Sequence, residues 1–220
     1  VFELLLYGFI RKEPAKLVKS LTNEIYIPHD ADYVIEGFVD TAKSELEGPF
    51  GDHTGFYTPV EPFPVMEVTA ITSKQDPVFH ATVVGKPPLE DKYMGWATER
   101  IFLPLLKQML PEVVDVNMPL EGVFHDCVVV SIKKQFPMHA RKVMHALWGM
   151  GQMMNVKMII VVDAHVDVQN MKEVWWRVFN NIDAKYDLEI VQGPLDVLDH
   201  SSPMAKWGSK LGIDATKTWP

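Results

Sequence analysis

The sequence predicts a mixed fold in which a β-rich first region is followed by a layered α/β region. Strand-like segments follow one another without helices between about residues 20 and 84, which is typical of a small antiparallel barrel or sheet. After residue 85, helical and strand patterns alternate, as they do in α/β layers. The change coincides with the turn sequence Gly85-Lys86-Pro87-Pro88, so we expect one domain over residues 1–84 and a second over residues 85–220.

The first region is predicted to contain one helix and four strands. Apolar residues at positions 2, 5, 6, 9 and 10 lie on one helical face and Pro14 ends the pattern, which predicts a helix over residues 1–12. Residues 24–27 and 32–39 are rich in Ile, Tyr and Val around a turn signal, so they are predicted to pair as strands. Residues 63–72 alternate strictly and residues 78–84 form a β-branched run, and both segments are predicted strands.

The second region is predicted to contain three helices and four strands. The first helix covers residues 93–110, with a kink or local break expected at Pro104. The second covers residues 137–150, and its apolar face consists of Ala140, Val143, Met144, Leu147 and Trp148. The third is opened by a capping box of Asn170 and Glu173, and its apolar stripe consists of Val174, Trp175, Val178, Phe179 and Ile182. The predicted strands are residues 113–118, 127–133, 157–162 and 188–191.

Composition and charge exclude several classes of protein. The 220 residues are 47% hydrophobic and 23% charged, which is typical of a globular protein. A net charge of −8 repels nucleic acid and anionic lipid, so no nucleic-acid partner is expected. The single cysteine, Cys127, excludes an intramolecular disulfide and fits a reducing cytoplasm. The longest apolar stretch is shorter than the ~20 residues of a bilayer span, so no transmembrane segment is expected.

One loop carries most of the candidate chemistry. Residues 47–55 hold Glu47, Asp52 and His53 around a Gly-Pro-x-Gly turn, which brings together acids that are five positions apart. Because two carboxylates held close cannot both ionise at low cost, one of them would keep its proton near neutral pH and could act as a general acid. Composition alone favours the structural interpretation, in which Asp52 is a turn residue that accepts backbone N–H bonds and Glu47 is a solvated charge. The density of glycine, proline, acidic and histidine residues in these nine positions argues for the functional one.

Glu3 presents a second choice between a structural and a functional interpretation. It is an acid inside an apolar helical stretch, and periodicity alone favours a charge on the solvated face of the helix. Histidines 139, 145, 165 and 200 lack a metal-binding spacing and receive no role.

Several sequence blocks resemble the UbiD family of aromatic (de)carboxylases that use a prenylated flavin. The signature loop is Glu47-Gly-Pro-Phe-Gly-Asp52-His53-Thr-Gly-Phe-Tyr57. Further matching blocks follow in order, among them Ala97-Thr-Glu-Arg-Ile-Phe-Leu-Pro104, Glu121-Gly-Val-Phe124, His139-Ala-Arg-Lys-Val-Met144 and Gly208-Ser-Lys-Leu-Gly-Ile-Asp-Ala-Thr216. The resemblance covers essentially the whole chain.

The resemblance implies a split β-barrel of flavin-reductase type followed by an α/β domain. It implies that Asp52 donates the proton that completes decarboxylation, that Glu47 belongs to an acid network with an arginine, and that His53 lines the substrate pocket. Glu3, five residues before Gly8, falls on the family's metal position. The implied cofactors are prenylated FMN and a divalent metal, usually Mn²⁺, with K⁺ as a further candidate ion. The implied substrate is a small aromatic or phenolic acid, such as a precursor of ubiquinone or menaquinone.

By this resemblance the chain matches only the C-terminal portion of the family. The family's arginine and most of its flavin contacts lie in a preceding region, so we expect Val1 to continue something longer, or a second chain to supply that half. Further copies of the chain are expected partners, and the tail from residue 208 either reaches a neighbouring subunit or closes on its own. A location in the cytoplasm, peripheral to the membrane for a polyprenylated substrate, is expected. Two other functions stay open: a scaffold subunit of an aromatic carboxylase, and a flavin oxidoreductase.

Overall fold

The computed structural model describes residues 3–217, which contacts divide into two compact units. The first unit consists of the residues up to 49 together with 59–82, and the second of residues 50–58 together with those from 83 onwards. The predicted mixed α/β class is confirmed, since helices and sheets are both present. The domain boundary after residue 84 stays a prediction.

The first unit contains one helix and two separate two-stranded antiparallel sheets. Strand β1 pairs with β2, and β3 pairs with β4 over a long ribbon whose register shifts between Val39 and Ser44. Within residues 3–217 no closed barrel is formed, and the split barrel stays a prediction. The elements are α1 (Glu3–Arg11), β1 (Leu17–Lys19), β2 (Tyr26–Pro28), β3 (Tyr33–Glu47) and β4 (Glu61–Ser73).

Two sequence predictions for this unit are wrong. The segment 78–84 is not a strand: the N–H of Val78 donates to Asp32 Oδ1 at 2.7 Å instead of to a neighbouring strand, and Pro77 has no N–H to offer. The predicted pairing of residues 24–27 with 32–39 is also incorrect, because β2 takes β1 as its partner. The sequence did not indicate β1, which is only three residues long.

The second unit is a layered α/β structure around a five-stranded sheet. Its strand order is β5-β6-β7-β9-β8, with the β6/β7 and β7/β9 pairs parallel and the two outer pairs antiparallel. The elements are α2 (Glu90–Met109), β5 (Val113–Asn117), a 3₁₀ turn (Leu120–Gly122), β6 (Cys127–Ile132), α3 (His139–Trp148), a second 3₁₀ turn (Gly151–Asn155), β7 (Met158–Asp163), α4 (Met171–Asn181), β8 (Leu188–Pro194) and β9 (Trp207–Asp214).

Both faces of this sheet are buried, as expected for parallel strands covered by helices. The alternation of side chains along β6 assigns Val128 and Val130 to one cluster, with α3, and Val129 to the other, with α4. In α3, Ala140, Val143, Met144 and Leu147 of the predicted apolar face are fully buried, whereas Trp148 is half-buried. These central strands and helices position the loops that carry the candidate site.

Three details of the second unit differ from the sequence predictions. Helix α2 continues through Pro104, so the expected local break does not occur, and the expected kink stays a prediction. In α4 only Val174 and Val178 of the predicted stripe are buried, whereas Phe179 is exposed. The tail forms β9, an inner strand that the sequence did not indicate, because its two glycines and Lys210 hide the usual apolar pattern. No helix among residues 3–217 is long and apolar enough to cross a membrane.

Candidate active site

The segment 50–58 is a tight, locally bonded loop of the second unit. The N–H of Asp52 donates to the carbonyl of Phe56 at 3.0 Å, and the N–H of Gly55 donates back to the Asp52 carbonyl at 3.0 Å. Gly55 has a φ of +84°, and a Cβ there would lie 2.9 Å from Cβ of Lys86. Glycine is therefore required at this position for both conformation and space.

Asp52 is the buried acid of this loop, with 6% of its surface exposed. Its Oδ1 accepts the backbone N–H of His53 at 2.6 Å and lies 2.7 Å from Nδ1 of the same imidazole. Among the described residues, Oδ2 has no hydrogen-bond partner. One oxygen is thus held in place, and the other is open to a further contact.

The imidazole of His53 lies between Asp52 and a second histidine, His125. Its Nε2 lies 3.0 Å from Nε2 of His125, which precedes β6 in the chain. The two rings are nearly perpendicular, at 70°, with centroids 5.3 Å apart. Because two facing ring nitrogens form a hydrogen bond only when one of them carries a proton, the contact couples the protonation of the two histidines.

Two further carboxylates surround His125. Its Nδ1 lies 3.2 Å from Asp126 Oδ1 and 3.9 Å from Asp196 Oδ2, near enough for ion pairs. Neither Nδ1 nor Asp126 Oδ1 has an aligned hydrogen bond within the described part of the chain, although both atoms are buried. Burial lowers the pKa of the His125 imidazole, but the charges of Asp126, Asp196 and Asp52 raise it by more, and the pKa lies above its ordinary value.

Phe124 packs the two histidines against helix α2. Its ring centroid lies 5.4 Å from that of His53 and 5.2 Å from that of His125. Its backbone has a φ of +55°, and its Cβ would lie 2.6 Å from a Cβ placed on Gly95 of α2. Only glycine at position 95 leaves room for this ring, so α2 contributes to the site by the absence of a side chain.

A second contact links the loop to residues that follow β8. Thr54 Oγ1 lies 3.1 Å from Nε2 of His200, and the ring of Phe56 packs on the same imidazole with centroids 5.1 Å apart. The loop is therefore held on both sides, by residues 124–126 and by residues 196–200.

The structure brings together only part of the predicted site. Asp52 and His53 lie side by side in the second unit. Glu47 belongs to the first unit, where it is exposed at the end of β3 and lies opposite Glu61 of β4. Its closeness to Asp52 stays a prediction. Glu3 is exposed in the first turn of α1, and residues 3–217 contain no group of three or more His, Cys, Asp or Glu side chains able to hold a metal ion.

Sequence reasoning missed the second layer of this site. His125, Asp126 and Asp196 carry no motif spacing with Asp52, and His200 received no role. One signal was available: polar residues at 125–126 stand directly before the buried strand β6, where a loop at the sheet edge is expected. The signature block Glu121-Gly-Val-Phe124 ends one residue before His125.

Comparison with solved structures shows that the chain is similar in fold to UbiD-class enzymes. Vanillic acid decarboxylase of Sedimentibacter hydroxybenzoicus, in its closed form, matches 99% of the chain with a TM-score of 0.92 and 29% identity. HmfF of Pelotomaculum thermopropionicum, in complex with FMN, matches 99% with a TM-score of 0.83 and 33% identity. An evolved dimeric form of HmfF in complex with prFMN matches with a TM-score of 0.79 and 30% identity. The chain covers 46%, 48% and 47% of these three chains, respectively.

Sequence relatives and family models agree with the structural likeness. An uncharacterized protein of Archaeoglobus fulgidus is 50% identical over all 220 residues, which cover 46% of its length. The chain thus spans less than half the length of the curated relatives it matches. Residues 1–87 match the Rift-related domain of 3-octaprenyl-4-hydroxybenzoate carboxy-lyase, and residues 92–215 match its C-terminal domain. These two matches together cover nearly the whole sequence, and the chain belongs to the UbiD family of carboxy-lyases.

Proposed function

We propose that the chain carries the catalytic acid of a UbiD-type decarboxylase that removes CO₂ from an aromatic or phenolic carboxylic acid. The single observation that carries the proposal is the state of Asp52: it is buried, one oxygen is held by His53, and the other oxygen has no hydrogen-bond partner in the described part of the chain. A quinone precursor is the substrate class that we favour within this group.

The proposed roles of Asp52, His53 and Glu47 complement the chemistry of the flavin that the family implies. When bound, prenylated FMN supplies the electron sink for loss of CO₂. The carbon that loses CO₂ must then gain a proton, and a carboxyl group held at one oxygen can deliver a proton from the other. Asp52 Oδ2 would hold that proton, His53 would orient the carboxyl and line the substrate pocket, and Glu47 would be the second acid.

The metal part of the proposal rests on Glu3 alone. A single exposed carboxylate does not make a site for Mn²⁺, which takes several oxygen ligands. Residues 3–217 offer no such group, so the chain by itself does not fit a closed metal site and no step is derived through the ion. We propose Glu3 as one Mn²⁺ ligand, with the other ligands supplied from outside the chain. No described residue is offered as a ligand for K⁺. If Glu3→Gln left the Mn²⁺ content of the loaded protein unchanged, the ligand role would be lost.

We further propose that the working enzyme includes more protein than these residues. The chain spans less than half of its relatives, and the β3/β4 ribbon exposes apolar side chains on both strands, including Phe38, Val39, Phe63 and Val68. Such exposed apolar surface is typical of a face that another segment or subunit covers. That cover would come from a longer form of the same polypeptide, from further copies of it, or from a second chain. We propose that the enzyme works in the cytoplasm or at a membrane surface.

The first test is the proton donor. In the longest form that the gene encodes, co-expressed with a flavin prenyltransferase, we expect CO₂ release from at least one of vanillic, 3,4-dihydroxybenzoic and 4-hydroxybenzoic acids. Asp52→Asn keeps the shape of the side chain but cannot donate an acidic proton, so kcat should fall by roughly 10²–10⁴-fold.

The matched control is Asp76→Asn, an identical change at an exposed position of the first unit, which should leave the rate unchanged. Full activity of Asp52→Asn would remove the proton-donor role. A flavin-loaded protein that releases no CO₂ from any of these acids would instead favour the scaffold alternative.

A further inference from the structure

The second unit contains a row of four neighbouring polar groups, hydrogen-bonded from Asp52 to His125 and in ion-pair contact from His125 to Asp126, and the proposed function uses only one end of it. The row runs from Asp52 Oδ1 to His53 Nδ1 over 2.7 Å, from His53 Nε2 to His125 Nε2 over 3.0 Å, and from His125 Nδ1 to Asp126 Oδ1 over 3.2 Å. The side chains of His53 and His125 are each 19% exposed. A partly buried row of this kind, with its members in direct contact, allows only a few arrangements of its protons.

Three arrangements are possible at the contact between the histidines: two with a neutral His53, and one with a doubly protonated His53, which depends on the surrounding charges. If His53 donates from Nε2 and is neutral, its Nδ1 is a lone pair facing Asp52 Oδ1, and two acceptors lie 2.7 Å apart. If His125 donates instead, Nδ1 of His53 carries the hydrogen and donates to Asp52. Oδ1 of Asp52 already accepts the backbone N–H of His53, so the second arrangement gives that oxygen two donors.

The charges around the two rings select the same arrangement. Three acids face His125: Asp126 beside it, Asp196 from the segment after β8, and Asp52 beyond His53. No other cation faces it from these segments, and His53 has Asp52 as its one carboxylate contact within the described residues. A proton shared between the rings therefore belongs to His125, and the direction of its pKa shift agrees.

We propose that His125 is a positioning residue, which donates its Nε2–H to His53 and so fixes His53 as the tautomer whose Nδ1–H holds Asp52 Oδ1. The inference rests on the proposed function in one respect, namely that Asp52 is the proton donor. Its consequence for the reaction is orientation: with Oδ1 occupied by two donors, Oδ2 is the only oxygen of Asp52 left to carry the transferable proton.

The tautomers themselves provide a test that needs no substrate or flavin. In two-bond ¹H–¹⁵N NMR spectra of the 220-residue chain, we expect His53 to carry its hydrogen on Nδ1 and His125 to carry one on Nε2. A spectrum in which His53 carries its hydrogen on Nε2 would overturn the inference without any variant being made.

Two variants separate a donor from a space-filling ring. His125→Gln keeps an N–H donor that can reach His53 Nε2, so the Nδ1–H tautomer should persist; His125→Phe removes the donor, and His53 should become a mixture of tautomers. His165→Phe, the same change at an exposed position, is the control and should leave the His53 signals unchanged. An unchanged His53 tautomer in folded His125→Phe would contradict the proposal.

Kinetics of the loaded enzyme give the second readout. We expect His125→Phe to lower kcat at least about 10-fold with little change in KM, because the loss falls on proton delivery and not on substrate binding. His125→Gln should recover most of kcat and lose the His125 limb of the pH profile. Equal kcat in wild type and His125→Phe would overturn the positioning role, whereas absence of CO₂ release from wild type would overturn the proposed function and leave the tautomer result standing.

Discussion

At the scale of single residues, the second unit places ionisable groups where water is scarce. Lys210 of β9 is 3% exposed, and its ammonium donates to the carbonyls of Met154 and Val156. Its stem passes over Gly193 of β8, where a Cβ would lie 3.2 Å from Cε of the lysine. Burial lowers the pKa of Lys210 to about 8, so its charge is maintained at a cost at neutral pH.

This burial predicts an unusual dependence of stability on pH. Between pH 8 and about 10.5 the unfolded chain binds one more proton at Lys210 than the folded chain does, and the free energy of unfolding should rise with pH over this range. We expect the wild type to gain stability relative to Lys210→Met as the pH increases from 8 to 10, in urea titrations followed by circular dichroism. A difference that stays constant across this range would show that the lysine is not desolvated.

Residue-scale prediction from sequence succeeded where a motif was local and failed where the partners were distant. Asp52 and His53 are adjacent in the chain, and they lie in a short glycine-rich loop that is visible in the sequence. His125 and Asp196 are 72 and 143 residues away from His53, and only the fold brings them to the loop. Cys127 lies at the start of the apolar strand β6, and burial raises its pKa to about 12, with Asp126 and Glu121 adding to the effect.

At the scale of elements, capping and periodicity were the most reliable sequence signals. The side chain of Asn170 accepts the N–H of Glu173 at the start of α4, as the capping box predicts. The other half of the box is absent, since Glu173 pairs with Arg177 at 2.9 Å, one turn further along the helix. Asn170 is therefore the residue that satisfies an otherwise free N–H at this helix end.

The cap gives a quantitative expectation. Asn170→Ala should lower the free energy of unfolding by about 0.5–1 kcal/mol, because the N–H of Glu173 loses its acceptor. Asn180→Ala, an identical change inside the same exposed helical surface, should alter it by only a few tenths of a kcal/mol, since alanine favours helix. Chemical denaturation of both variants measures the difference, and equal midpoints would contradict the capping role.

Strands were harder to predict than helices because a strand depends on its neighbours. The run at 78–84 has strong β propensity but no partner strand within the described part of the chain, and it stays irregular. Strand β9 has weak propensity, yet it lies between β7 and β8 and is paired on both sides. Propensity alone ranks these two segments in the wrong order, since cross-strand partners decide which one forms.

At the scale of the whole molecule, the segment 50–58 joins the contacts of the second unit although the strands before and after it belong to the first. A fragment of residues 85–220 would therefore lack a piece of its own packing. We expect that fragment to be less stable to urea than the same fragment with residues 50–58 attached through a flexible linker. Attaching a loop that carries Gly55→Ala should restore less stability, because its Cβ would press against Lys86. Identical midpoints for all three proteins would show that the loop contributes nothing to the unit.

Because segment 50–58 belongs to the second unit, its place in the chain also matters for chimaeras between relatives. Asp52 and His53 are encoded before the Gly85-Lys86-Pro87-Pro88 turn, whereas His125 and Asp196 are encoded after it. A chimaera joined at that turn would combine the proposed proton donor of one parent with the proposed positioning histidine of the other. Exchange of the second region between relatives would thus change the surroundings of Asp52 and His53 without changing these two residues.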